Sequence, residues 1–473
     1  MAINRIPTVQ EIFPIVGKPT VTYVAQDSGS VEKKLRDAVQ SRGQLCLLTG
    51  PSKLGKTTLY RRVLSELKIQ PIVIRCTEGM TVRSFWVSAL EDLNFEQLAE
   101  RVKSLGSSLS ADIGVSGEFG WGWLAKVVPS VKVSATDKSE SSIKSAFVKA
   151  DLSAKHLIPA LNELPVLLVV EDFHYLSEAV KKEIFQQWKS FVDEEVSVLI
   201  VSTSHHASDI ARSNPDLRGR TRHVELEKWN TDDLALIPKR GFDILSIKNS
   251  ASLRNSIAIE ACGLPIVAQQ ICQTFALSLD LSPSSIDRRK DFQPSNLQDT
   301  YSRVLSDFYS DYDRDYERLL AGPRSGSRKY DTYSAILGAF ALEPLEFSLR
   351  EHVLIDRINE ISSADRIPLA SINSSLNALG SHQKRMGTTL LEWQPHQDML
   401  HIVEPTFLFF LRQKLKAARG TSSKSSDINT LLKELMIRVR GFEGSQSRLQ
   451  LLESPNEQGS FFGGSATDTK SDA

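Results

Sequence analysis

The stretch GPSKLGKTT, residues 50 to 58, sets two glycines five positions apart, with a lysine after the second and two threonines behind it. Each residue type has a task at that spacing. Gly50 and Gly55 let the backbone wrap so that successive amides, and the positive end of a following helix, converge on phosphate oxygens. Lys56 reaches the β- and γ-phosphates of a triphosphate, and the Thr57 hydroxyl is placed to ligate Mg²⁺. The candidate cradle is therefore Gly50, Pro51, Ser52, Lys53, Leu54, Gly55, Lys56, Thr57 and Thr58.

A magnesium-bound triphosphate also calls for a carboxylate at the tip of a neighbouring strand. The run PVLLVVED, residues 165 to 172, ends in Glu171 and Asp172. Alternate strand residues face opposite ways, so the two carboxylates are expected to divide the work. Glu171 takes the metal and Asp172 activates the attacking water. A later run, VSVLIVSTS (196 to 204), ends in small hydroxyl residues, of which Ser202 or Thr203 is the candidate to sense the γ-phosphate or its water. Beyond it, PDLRGRTRHVELE carries Arg218, Arg220 and Arg222. Planar guanidinium groups stabilise phosphate charge in cis or from a neighbouring subunit, and Arg220 is the first candidate.

These residues need a scaffold that presents strand ends and loops on one side. Apolar runs at 44–49, 71–76, 165–172, 196–204 and 222–227 alternate with helical patterns at Thr57–Lys68, 81–93 and about Ser177–Glu195. Uniformly apolar strands alternating with helices predict an α/β fold with a parallel sheet covered on both faces. The predicted layout is an α/β core over 1–228, a helical lid over 229–327, a winged-helix domain over 328–418 and a largely disordered tail over 419–473. Within the core, period-two alternation around Trp121 and Trp123 predicts a β-hairpin insertion at about 106–140. It is the candidate contact with a second copy of the chain or a protein partner. In the last domain, TLLEWQPHQDMLHIVEP reads as a two-stranded wing turned at 395–398, and residues 367–380 read as the helix that would face duplex DNA. That helix lacks lysine and arginine, and His382, Lys384 and Arg385 follow it.

Composition excludes several classes. The chain has 473 residues, 41% hydrophobic and 24% charged, and 57 basic side chains balance 57 acidic ones. That balance rules out a global field driving the chain onto nucleic acid or an anionic membrane. The four cysteines, Cys46, Cys76, Cys262 and Cys272, show no metal-type spacing and are expected as buried thiols. MAINRIPTVQEIF has no signal-like apolar stretch, and no uncharged run approaches the roughly 18 residues of a membrane span, so a cytoplasmic location is expected.

The phosphate loop, the LLVVED strand, the hydroxyl-ended strand, the arginine-bearing turn, the GLP of the lid and the trailing winged helix together resemble AAA+ and STAND-type ATPases. The nearest outlines are origin-recognition-like ATPases, archaeal STAND ATPases and bacterial transposition-regulator or antiphage-defence ATPases. The resemblance implies ATP and Mg²⁺ as ligands. It also implies adenine recognition upstream of the first strand, where Tyr23 and Val24 stand, with Gln26 in the place of the usual arginine, and Pro265 near the base or ribose. Three functions are compatible with this outline: an ATP-hydrolysing switch that controls assembly or partner engagement, a DNA-handling ATPase, or a nucleotide-binding scaffold with little turnover.

Overall fold

The computed structural model describes residues 7–17, 19–94, 143–144, 158, 161–162, 164–203, 219–279, 281, 291–323, 330–362 and 366–417. The proposed 106–140 hairpin with Trp121 and Trp123, Arg218 and the 419–473 tail lie outside the described residues.

Five strands form the first sheet: β1 (Leu45–Thr49), β2 (Gln70–Arg75), β3 (Val166–Glu171), β4 (Val198–Val201) and β5 (Thr221–Glu225). Their order is β2-β3-β4-β1-β5, and every pairing is parallel. The three central strands are the most apolar because both their faces are covered: all five residues of β1 and all four of β4 are buried. Alternate residues supply two separate cores. Cys46, Leu48, Val169, Leu199 and Val201 point into one, and Leu45, Leu47, Val170, Val198 and Ile200 into the other.

The second core is closed by α4 (Val82–Glu91) and α5 (Glu178–Asp193), where Trp86 stacks on Phe191 at 5.6 Å. The first is closed by α2 (Ser30–Gln40) and α3 (Lys56–Glu66), and it continues without a break into the C-terminal half of the chain. A short α1 (Val9–Ile12) starts a strap that crosses between sheet and lid. Phe13 of the strap lies so close to Gly241 that a Cβ there would sit 2.1 Å from the ring, which is why the partner helix carries glycine at that point. The Thr22 hydroxyl donates to Ile12 O at 2.7 Å, and Gln273 Nε2 donates to Phe13 O at 2.6 Å.

The lid helices are α6 (Thr231–Ile244), α7 (Ala251–Glu260), α8 (Pro265–Leu277), α9 (Gln298–Phe308) and α10 (Asp311–Ala321). Then follow α11 (Thr332–Ala341), β6 (Ser348–Arg350), α12 (Glu351–Ile361), α13 (Leu369–Met386), β7 (Leu391–Gln394), β8 (Met399–Ile402) and α14 (Thr406–Ala417). The three short strands pair antiparallel in the order β6-β8-β7. Buried Gln383 ties α13 to the hairpin. Its Oε1 accepts from Leu390 N (2.7 Å) and Leu391 N (2.9 Å), and its Nε2 donates to Leu391 O (2.6 Å).

Two expectations change here. The helix read as 367–380 runs to Met386, because Gly380 sits in open space mid-helix and the stop comes at Gly387, which adopts the left-handed conformation. Lys384 and Arg385 therefore belong to the helix, while His382 is buried and faces Arg318 O at 3.2 Å. The strand β6 carries only three residues, too few for a period-two signal to register.

Candidate active site

The loop after β1 is built by a close approach. Leu226 N donates to Thr49 O at 2.8 Å, drawing the chain after β5 against the loop. A Cβ on Gly50 would then meet Leu226 O at 2.6 Å, and its φ of 147° is one that side chains disfavour, so only glycine fits. Lys53 and Gly55 also take positive φ, curling the loop into the first turn of α3. Trp229, just before α6, donates from Nε1 to Leu54 O at 3.2 Å and clamps the loop from the lid side.

The Lys56 ammonium donates to Gly50 O and Pro51 O, each at 2.8 Å. Burial pulls its pKa down from 10.5 to about 8, and the carboxylates of Asp172 and Glu404 oppose that shift. A polyphosphate requires the protonated form, so Mg·ATP affinity should hold below pH 8 and fall about tenfold from pH 8 to 9 or slightly above. Calorimetry in buffers of differing ionisation enthalpy should register proton uptake on binding near pH 8. The stability term of this lysine has the opposite sign: between pH 8 and 10.5 the unfolded chain binds more protons, so unliganded stability gains as pH rises.

Glu171, at the end of β3, is buried and receives three donors. Thr57 Oγ1 and Tyr60 OH each donate to Oε1 at 3.1 Å, and Arg75 Nε pairs with Oε2 at 3.1 Å. The Thr57 hydroxyl and this carboxylate form a hard oxygen pair that suits Mg²⁺, which takes one or two protein oxygens and completes its shell from phosphates and water. No group of three or more histidine, cysteine, aspartate or glutamate side chains with metal-ligand geometry occurs among the described residues.

Asp172 corrects the strand-alternation argument. The chain leaves β3 at Glu171, and Asp172 adopts the left-handed conformation with φ of 59°. Its N–H donates to Val201 O at 3.1 Å. That turn puts both carboxylates on the wall of one cavity, where strand alternation would have separated them. Burial first, and the charge of Glu171 second, push the Asp172 carboxyl above its ordinary range, against Lys56 and Arg75. A carboxylate held this way is a better proton acceptor than a solvated one.

The cavity, about 590 Å³, extends from the phosphate loop to the lid. Ser202 lies on its wall, and the buried Oγ has no hydrogen-bond partner among the described residues. Its neighbour Thr203 lines the same cavity. Val24, Ile237, Pro265 and Ile266 give the cavity apolar lining, and Tyr23 lines it as well. Tyr23 is held in place by its OH, which donates to Glu32, and by the Arg62 guanidinium 4.0 Å over its ring. Gln26 donates from Nε2 to Glu227 O at 2.7 Å, and its buried Oε1 has no hydrogen-bond partner among the described residues.

Arg220 is not brought to the cradle. It stands at the opposite end of β5 from the phosphate loop and pairs there with Asp193 at 2.9 Å, while Arg222 donates to Gln44 Oε1 at 2.8 Å. Several cavity residues had no signal in the sequence. Gln269 and Gln270 of α8, Phe308 of α9, Tyr309 just after α9 and Trp229 just before α6 reach the site, and Tyr309 OH donates to Gln270. Only the spacing of Trp229 just after the last strand could have drawn attention to it.

A parallel sheet in the order 2-3-4-1-5, a glycine cradle after β1 and an acidic tip on β3 define a P-loop nucleotide-binding protein. Residues 39–210 match the family model of the AAA domain. Over these residues the chain is similar to the AAA domain of P-loop ATPases. No curated protein sequence matches it. Similar solved structures include a Walker-type ATPase of Pyrococcus abyssi, 17% identical, covering 85% of this chain and 99% of that one with a TM-score of 0.45. The RuvB Holliday junction branch migration motor of Thermotoga maritima is 14% identical over 81% of this chain and 94% of its own, with a TM-score of 0.33. A structure of Drosophila ORC bound to DNA is 12% identical over 87% and 95%, with a TM-score of 0.37.

Proposed function

We propose that this chain is an ATP-hydrolysing molecular switch whose nucleotide state sets the position of its C-terminal half. The supporting observation is that one cavity is walled both by the phosphate loop and by Pro265, Phe308 and Tyr309 of the lid. A ligand that fills it touches both halves, so its loss or hydrolysis changes their contact energy. In this reading Lys56 binds the phosphate tail, Thr57 and Glu171 hold Mg²⁺, Asp172 accepts the proton of the attacking water and Ser202 orients that water or the γ-phosphate. The adenine lies against the apolar lining given by Val24 and Pro265, beside Tyr23. The core spans 1–228, the lid 229–327 and the third domain 328–418.

We read the third domain as a winged helix, supported by its order α11-β6-α12-α13 followed by the β7–β8 hairpin. Arg220 stabilises phosphate charge in this reading only from a neighbouring copy, since it lies away from its own cradle. The switch would act in the cytoplasm through assembly or a protein partner, antiphage defence being the setting suggested by the families it resembles. One observation favours a second reading, a DNA-handling ATPase: α13 reaches Lys384 and Arg385. Against it, α13 from Leu369 to Gln383 carries no lysine or arginine, and phosphate neutralisation by such residues supplies most non-specific DNA affinity.

The test combines phosphate release with small-angle scattering in Mg·ADP and in a non-hydrolysable Mg·ATP analogue. Slow release and distinct scattering curves are expected. Identical curves in both nucleotides would remove the switch, and a salt-sensitive gain in duplex affinity with ATP would favour the DNA reading.

A further inference from the structure

A carboxylate from the far end of the chain faces the phosphate loop. Glu404 lies in the turn between β8 and α14, and its Oε2 is 3.6 Å from the ammonium of Lys53, a residue of the loop itself. After Asp172, the same carboxylate also opposes the effect of burial on Lys56. Oε2 is shielded from solvent, has no hydrogen-bond partner among the described residues and faces the Lys53 ammonium. The side chain as a whole is 39% exposed, which leaves the interaction partly screened.

The backbone of this turn is pinned on both sides. Val403 N donates to Leu390 O at 2.9 Å, and Phe407 N donates to Glu404 O at 2.8 Å. Helix α14 is in turn anchored on the lid. Arg412, buried, pairs with Glu260 at 3.5 Å and with Glu343 at 2.6 Å, and Thr406 Oγ1 lies 2.9 Å from Tyr312 OH. Glu404 therefore cannot withdraw far from the cradle unless α14 shifts with it.

We propose that Glu404 is a specificity residue that makes the docked chain discriminate against the γ-phosphate, favouring a nucleoside diphosphate over a triphosphate. The inference rests on the nucleotide reading of the cradle. A diphosphate places its charge on the loop amides and Lys56. The third phosphate adds negative charge to the lysine ammonium groups that Glu404 already faces, and like charges at this range repel. A triphosphate then gains its full affinity only when the turn carrying Glu404 moves off the loop, which couples the identity of the nucleotide to the docking of α14.

The test measures dissociation constants of Mg·ATP analogue and Mg·ADP, by calorimetry on the full chain, for wild type, Glu404→Gln and Glu404→Asp. Removing the charge should tighten the triphosphate about tenfold relative to the diphosphate, for a partly screened pair of like charges. Glu404→Asp, which keeps the charge, should retain the wild-type ratio to within about threefold. An unchanged ratio in Glu404→Gln, with wild-type binding intact, overturns this inference alone. Absence of binding in wild type overturns it together with the nucleotide reading.

Discussion

Replacing Lys56 by alanine is expected to weaken Mg·ATP binding by about a hundredfold or more, measured by calorimetry on the folded variant. The magnitude follows from what the ammonium does. It is half-buried in the loop and spends its donors on Gly50 O and Pro51 O, two contacts that an incoming phosphate tail replaces with charge-assisted ones. Two hydrogen bonds to a charged acceptor contribute about 3 kcal/mol together, and each 1.4 kcal/mol is tenfold in affinity. The fold should survive, because Lys56 is the first residue of α3 and alanine is a good helix former. Burial lowers its pKa to about 8, so the protein already bears a cost for holding it charged at neutral pH. A side chain kept at such a cost serves a ligand, and unchanged affinity in the alanine variant would refute the cradle assignment.

Turnover, by contrast, should collapse at Asp172. Asp172→Asn is expected to lower phosphate release about a hundredfold to a thousandfold, the range for losing a positioned general base, while Mg·ATP affinity stays within about threefold. The asparagine is nearly isosteric and keeps the backbone bond from its N–H to Val201 O, so the left-handed turn that carries it should persist. Wild-type turnover should itself fall as pH drops through the raised pKa of this carboxyl, since the protonated form cannot accept a proton from water. Glu171→Gln gives a different result. Its carboxylate bonds Thr57, Tyr60 and Arg75, so neutralising it should weaken Mg²⁺-dependent binding as well as turnover. If turnover persists in Asp172→Asn, the water-activating role belongs elsewhere on the cavity wall.

Much of the candidate site is legible in the sequence. The cradle, Lys56, Thr57, Glu171 and the hydroxyl end of β4 each lie within a strand end and the few residues after it, where local pattern and position coincide. The three central strands are legible because a strand buried on both faces must be apolar throughout, whereas the edge strands β2 and β5 are only partly buried. Strand alternation predicts that Glu171 and Asp172 face opposite ways, whereas strand β3 ends at Glu171 and the left-handed turn at Asp172 brings both to one cavity wall. Position along the chain also made Arg220 a neighbour of the phosphate, whereas the parallel direction of β5 carries it to the far end of the sheet.

The amino-acid order by itself determined the nucleotide loop and the doubly covered parallel sheet, because glycine stereochemistry and apolar periodicity act over a handful of residues. Only the tertiary structure decided what closes over that loop. Trp229, Tyr309 and Glu404 come from 170 to 350 positions further on. Their meeting with Lys53, Lys56 and Leu54 depends on one continuous core shared by α3 and the C-terminal helices. A core of that kind is assembled from many interchangeable apolar side chains, so no short pattern in the chain records which distant residues it will bring together.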